Sequence, residues 1–164
     1  MEFVFQNILN ALQWGSFYAL IALGYTLVYG VLLLINFAHG DIFMVGAYIA
    51  YFVATLFLAT AGLSPSATLA LAVPLTMILT ACVGVTLERV AYRPLRRKGA
   101  HRLYVVITAL MCGLILENGN LALLGASRKS FPELLDKAIW TFGTVSVTNL
   151  KILVIVSEIG RAHV

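Results

Sequence analysis

The chain has 164 residues, of which 61% are hydrophobic and 11% charged, and a net charge of +4. A soluble domain carries about 25% charged residues, and one of this length could not bury so much apolar surface. A soluble globular fold is therefore excluded, and lipid is the expected solvent for a chain of mean hydropathy +0.95.

Charge is absent between Glu2 and Asp41 and again from Ile42 to Leu87. Backbone groups in hydrocarbon must be satisfied within the segment, which leaves helices or closed barrels. Barrel strands would alternate apolar and polar residues over about 10 positions. The runs here are continuous, as in Ala19-Leu20-Ile21-Ala22-Leu23, so the expected fold class is all-α, a polytopic transmembrane helical bundle. The positive balance does not indicate nucleic acid, because six of the eleven basic residues lie between Arg89 and Arg102, in one gap between apolar runs.

A span needs about 20 residues. The first is expected from about Asn7 to Ile35, where Asn36-Phe37-Ala38-His39-Gly40-Asp41 interrupts it. A second covers about Ile42 to Ala61. Ser64 then suits an N-cap with Pro65 at the first helical position, and a third span follows from about Ala67 to Ala91, with a kink expected at Pro74. The fourth covers about Leu103 to Leu124.

Gly125 to Thr148 reads as a polar loop. Ser130-Phe131-Pro132-Glu133 has capping-box spacing, and Phe131, Leu134, Leu135, Ala138 and Ile139 share a helical face, so a short surface helix is expected. Thr144 to Thr148 alternates like a strand. A truncated fifth span starts near Leu150. Residues 158–164 resemble the translation of a short-read sequencing adapter, so residues 1–157 are expected to be the N-terminal part of one transmembrane domain and 158–164 a non-native tail. The amino terminus lacks a basic n-region, so the first helix is expected to be retained.

Cytoplasmic loops collect Lys and Arg. Arg93, Arg96, Arg97, Lys98 and Arg102 are therefore the expected cytoplasmic topology determinants, which places the amino terminus and the Gly125–Thr148 loop outside. Cys82 and Cys112 sit in apolar runs with no metal or disulfide spacing. No catalytic residue, metal site or cofactor is expected, since the chain lacks HExxH, GxSxG and phosphate-loop motifs.

Polar groups within the apolar runs are the candidate site. Asn36 and Asp41 suit helix termini; broken helices and ionisable groups at membrane depth also line pathways. Asn36, His39, Asp41 and Glu117 are thus candidates for a translocation pathway. Glu117 should face the bundle, where a neutral interhelical hydrogen bond competes with a substrate contact. Glu88 and Arg89 suit snorkelling to the interface, and Gly46, Ala50 and Ala54 form a small-residue stripe suited to close helix packing. Trp14, Tyr18, Tyr92 and Tyr104 suit packing and interfacial anchoring.

The run from Tyr18 to Val31, continuing into Ile35-Asn36-Phe37-Ala38-His39-Gly40-Asp41, resembles the opening of the branched-chain amino acid ABC permeases. Glu88 to Arg96 resembles that family's first cytoplasmic loop, and Thr108 to Gly113 with Ile115 to Asn118 and Leu121 to Gly125 its next helix. One departure is Glu117, where the family usually has Gln. The resemblance implies a permease subunit importing leucine, isoleucine and valine, or related amides, across the bacterial inner membrane. It implies as partners a second permease subunit, two cytoplasmic ATPase subunits and a periplasmic binding protein, with the ATPase-docking loop beyond residue 157. A secondary transporter or channel without an ATPase is the alternative that hydropathy alone leaves open.

Overall fold

A computed structural model describes residues 2–32, 36–134, 139–142 and 145–148. Four helices are long and apolar enough to cross a membrane. In chain order they are α1 (Glu2–Leu32), α2 (His39–Thr60), α3 (Pro65–Leu87) and α5 (Arg102–Leu124). A π-helical turn, Glu88–Tyr92, and the short α4 (Arg93–Arg97) extend α3, so that the apolar segment Pro65–Arg97 has 33 residues. That is about 50 Å of helix against a hydrocarbon core of roughly 30 Å, and the surplus carries the cations. The expected spans all appear, and the fifth lies outside the described residues.

The chain divides into two compact units, Met1–Leu27 with Asp136–Val164, and Val28–Leu135. In the first, α1 is apolar around its circumference, as a lipid-facing helix is. Several of its polar groups bond within the helix, as when Ser16 Oγ donates to the Leu12 carbonyl at 2.9 Å and Gln6 Nε2 to Asn10 Oδ1 at 3.3 Å. The same unit holds a two-stranded antiparallel ribbon, β1 (Ile139–Phe142) and β2 (Val145–Thr148), with Ile139 opposite Thr148 and Phe142 opposite Val145. The alternating segment is thus a strand. The helix expected from Ser130 onward is not seen among the described residues: 127–134 is irregular and Ile139 belongs to β1, while residues 135–138 lie outside them. Pro132 supplies the reason, since its ring disfavours the helical region for Phe131.

In the second unit α2 and α3 pack antiparallel along their small residues. A Cβ on Gly46 would lie 3.1 Å from Thr80 Oγ1, while Ala54, Thr68 and Ala72 are buried. The Gly46–Ala50–Ala54 stripe therefore does bring two backbones close, as small residues do where lipid gives no hydrophobic drive. Ser64 caps α3, its Oγ accepting from Ala67 N at 3.4 Å with Pro65 in the first turn, and α3 continues through Pro74.

The turn from α4 to α5 is a Schellman motif. Ala100 N donates to the Leu95 carbonyl and Gly99 N to that of Arg96, both at 3.1 Å. Gly99 takes φ +64°, which costs a glycine nothing. His101 starts α5, its Nδ1 accepting from Leu103 N at 3.4 Å. This tight return stacks α5 on the π turn around a core of Ala38, Tyr92, Val105, Ala109 and Cys112.

The start of α2 comes close to α5 at Gly113, where a Cβ would strike the Asp41 carboxylate and come 3.7 Å from Ala38 Cα. Gly119, on the same helix, has open space around it. Gly119→Ala should be neutral or stabilising by up to about 1 kcal/mol, and Gly113→Ala is expected to be less favourable than that, because the Asp41 carboxylate must turn aside to admit the methyl group. Thermal unfolding of both variants in detergent micelles checks this, and equal responses would remove the close contact at Gly113.

Candidate functional site at the break between α1 and α2

The polar break is organised by one side chain. Asn36 Oδ1 accepts from its own neighbour Ala38 N at 3.1 Å and from the Tyr92 hydroxyl, 56 residues away, at 2.8 Å. The first bond is an Asx turn, the local geometry that asparagine favours. The Asn36 carbonyl then accepts from His39 N at 3.1 Å, and the Ala38 carbonyl from Ile42 N at 2.9 Å, which begins α2. Asn36 therefore starts a helix.

Asp41 does not cap α2. The N-cap position is Ala38, without a side-chain bond, and Asp41 lies in the first turn. A carboxylate there is stabilised by the unpaired amides and dipole of the helix start. It points to Gly113 of α5, on the far side of α2 from the residues that line the main cavity.

That cavity has a volume of about 820 Å³ between α2 and α3. Its wall is apolar except for Asn36, His39, Thr76, Thr80 and Tyr92. His39, Ile42, Phe43, Gly46, Ala47 and Ala50 supply the α2 side, at spacings that put them on one helical stripe. Val28 and Phe131 close other parts of the wall. Thr55, Thr60, Thr86 and Thr108 bond back to carbonyls four residues earlier at 2.6–2.8 Å. Thr76 and Thr80 differ: their Oγ1 atoms are buried without a hydrogen-bond partner among the described residues.

The structure thus brings Asn36 and His39 to the cavity and sets Asp41 beside them on another face. Glu117 does not join them. It is exposed on α5, and Asn118 bonds the Leu114 carbonyl of its own helix at 2.8 Å. Of the basic residues, Arg93, Arg97, Lys98 and Arg102 are exposed, while Arg96 pairs with Glu88 across the π turn. An ion pair this accessible contributes about 0–1 kcal/mol.

Sequence reasoning assigned Tyr92 to packing and interfacial anchoring, and so missed its bond to Asn36. An amide in an apolar segment needs a donor, which was the available signal; the partner's identity was not in the local sequence. The hydroxyls of Thr76 and Thr80, and Phe131, were likewise not singled out as cavity groups.

Removing the Tyr92 hydroxyl should cost about 1 kcal/mol, and Asn36→Ala more, because it strips a partner from both the Ala38 amide and Tyr92. Unfolding of Tyr92→Phe, Asn36→Ala and the double variant forms a cycle with an expected coupling of about 1 kcal/mol. Additive effects would mean that the bond contributes nothing.

Residues 7–157 match the family described as the branched-chain amino acid transport system permease component. The chain is 42% identical over 148 residues to the high-affinity branched-chain amino acid transport system permease protein BraD of Pseudomonas aeruginosa, covering 90% of this chain and 47% of that protein. It is 32% identical over 177 residues to the corresponding LivH protein of Salmonella typhimurium, covering 96% and 56%. It is 30% identical over 154 residues to LivH of Escherichia coli K12, covering 91% and 49%. The chain spans about half the length of these curated relatives. No solved structure matches. Four apolar helices and a family match over nearly the whole chain lead to one conclusion: this multi-pass membrane chain belongs to the branched-chain amino acid transport permease family.

Proposed function

We propose that the chain is part of the membrane permease subunit of an ABC importer that moves branched-chain amino acids, or related amides, across the bacterial inner membrane. Residues 1–157 would belong to a single transmembrane domain. The observation that carries the reading is the polar break at Asn36–Asp41, held among apolar helices, of which Asn36 and His39 line a largely apolar cavity. Ala38 packs beside Ala109, two turns along α5 from Arg102, or about 10 Å inside the basic end. Non-helical backbone at such depth is tolerated where protein or a cavity receives it, and an apolar wall with a few polar groups suits an aliphatic amino acid. A second permease subunit, two cytoplasmic ATPase subunits and a periplasmic binding protein complete the proposed assembly. ATP hydrolysis belongs to the ATPases, and this chain supplies the path.

The orientation puts Arg93, Arg96, Arg97, Lys98 and Arg102 in the cytoplasm, with the loop after α5 and the Ser64–Pro65 turn outside. Single-cysteine variants Ser66→Cys and Lys98→Cys, in a Cys82→Ser/Cys112→Ala background, test this in intact cells. An impermeant thiol reagent should label the first variant and not the second; the reverse pattern would overturn the orientation.

A role for the break in transport is tested by Asp41→Asn in the complete permease. The amide keeps the shape of the carboxylate and loses its charge. As a helix-terminus charge alone, Asp41 is worth about 0.3–1 kcal/mol. If the charged break takes part in translocation, leucine uptake falls at least tenfold at normal membrane levels, which corresponds to about 1.4 kcal/mol in a critical step. Wild-type uptake in both Asp41→Asn and His39→Gln would reduce the break to architecture.

A further inference from the structure

Two cavities in the second unit adjoin, and their chemistry differs. The larger is the apolar cavity of about 820 Å³ between α2 and α3. The smaller, about 330 Å³, lies between Ala47, Tyr48 and Tyr51 of α2 and the segment 126–131. Ala47 and Phe131 line both, so Phe131, held off the helical path by Pro132, stands at the boundary. Arg128 and Lys129 border the smaller cavity. Both are exposed, and neither forms an ion pair or hydrogen bond with a described residue.

A cationic compartment opening beside an apolar one matches a ligand with an anionic head and an aliphatic body. Both volumes fall within the roughly 300–1,000 Å³ typical of small-molecule sites. A guanidinium presents a fork that fits a carboxylate with two parallel hydrogen bonds, and Tyr48 and Tyr51, three residues apart on one face of α2, line the same cavity as Arg128. On the substrate reading proposed above, on which this step rests, we infer that the two cavities form one amino-acid site. Arg128, with Lys129 beside it, takes the α-carboxylate over Tyr48 and Tyr51. The branched side chain passes Phe131 and Ala47 into the apolar cavity. The loop after α5 then recognises the group common to all amino acids, and the α2–α3 face recognises the group that distinguishes the aliphatic ones.

The test uses the complete permease with its partner subunits in lipid nanodiscs. It carries Cys82→Ser and Ala126→Cys, which places a thiol on the wall of the smaller cavity. Saturating leucine should slow modification of that thiol at least fivefold. Leucinol, which keeps the side chain and lacks the carboxylate, should not slow it. Protection should disappear in Arg128→Gln/Lys129→Gln and persist in part in Arg128→Lys, which keeps the charge and loses the fork. An unchanged modification rate without ligand shows that these variants hold the native cavity. Equal protection by leucine and leucinol, no protection by leucine, or full protection in the charge-neutral double variant would each overturn the site. Uptake of labelled leucine by cells with the unmodified transporter separates the two readings. Absence of uptake removes the substrate reading itself, whereas normal uptake with any of the overturning results removes only this site.

Discussion

A backbone that leaves the helical path among apolar helices must find hydrogen-bond partners in protein, because lipid offers none. In this chain one oxygen meets much of that demand. Asn36 Oδ1 takes the Ala38 amide, which α2 has no earlier turn to satisfy, and the hydroxyl of the buried Tyr92. Each orphaned group would cost about 1–3 kcal/mol. The bond also joins positions 56 residues apart, so the start of α2 and the far end of the α3 segment are placed with respect to each other.

The rest of the packing follows from bringing Tyr92 to that acceptor. The π turn at Glu88–Tyr92 adds one residue per turn to the helical count, which shifts the phase of the face on which Tyr92 emerges. The Schellman turn then returns the chain so that Val105, Ala109 and Cys112 cover the tyrosine. Gly113 lets the first turn of α2 come against α5. These contacts gather at the break, while many large apolar side chains elsewhere on the spans are exposed, Leu123 by 84% and Ile115 by 70%. Such surface is acceptable to lipid or to further protein, and not to water.

Thr76 and Thr80 show the cost of close helix approach. Their helix meets Gly46 and its neighbours so tightly that the hydroxyls lie buried at the cavity wall without a partner among the described residues. With Asn36 and His39 they put a small polar inventory on an otherwise apolar surface. On the proposed function, that balance would give enough polarity to admit a zwitterion and too little to hold it.

Much of the fold was legible because hydrocarbon imposes a simple rule. Four continuous apolar runs become four helices, and Ser64–Pro65 starts α3 by its own local chemistry. The strand at Val145–Thr148 was readable from alternation alone, and the small stripe on α2 from its four-residue spacing. The polar interruption at Asn36–Asp41 marked the break for the same reason, since uncharged helices leave few places for such groups. What the amino-acid order could not determine is who meets whom across the bundle. Asp41 looked like a cap and lies in the first turn of α2 against Gly113; Glu117 looked inward and is exposed on α5. Segment 127–134 carried a helical pattern, yet Pro132 and the docking of Phe131 into the cavity wall prevailed over it. Tyr92 became the partner of Asn36 only through the phase of a π turn. Local periodicity and hydropathy act within a few residues, whereas these placements depend on helix register and rotation set by contacts distant in sequence. The membrane character and the break are therefore properties of the sequence, and the partners of the break are properties of the packing.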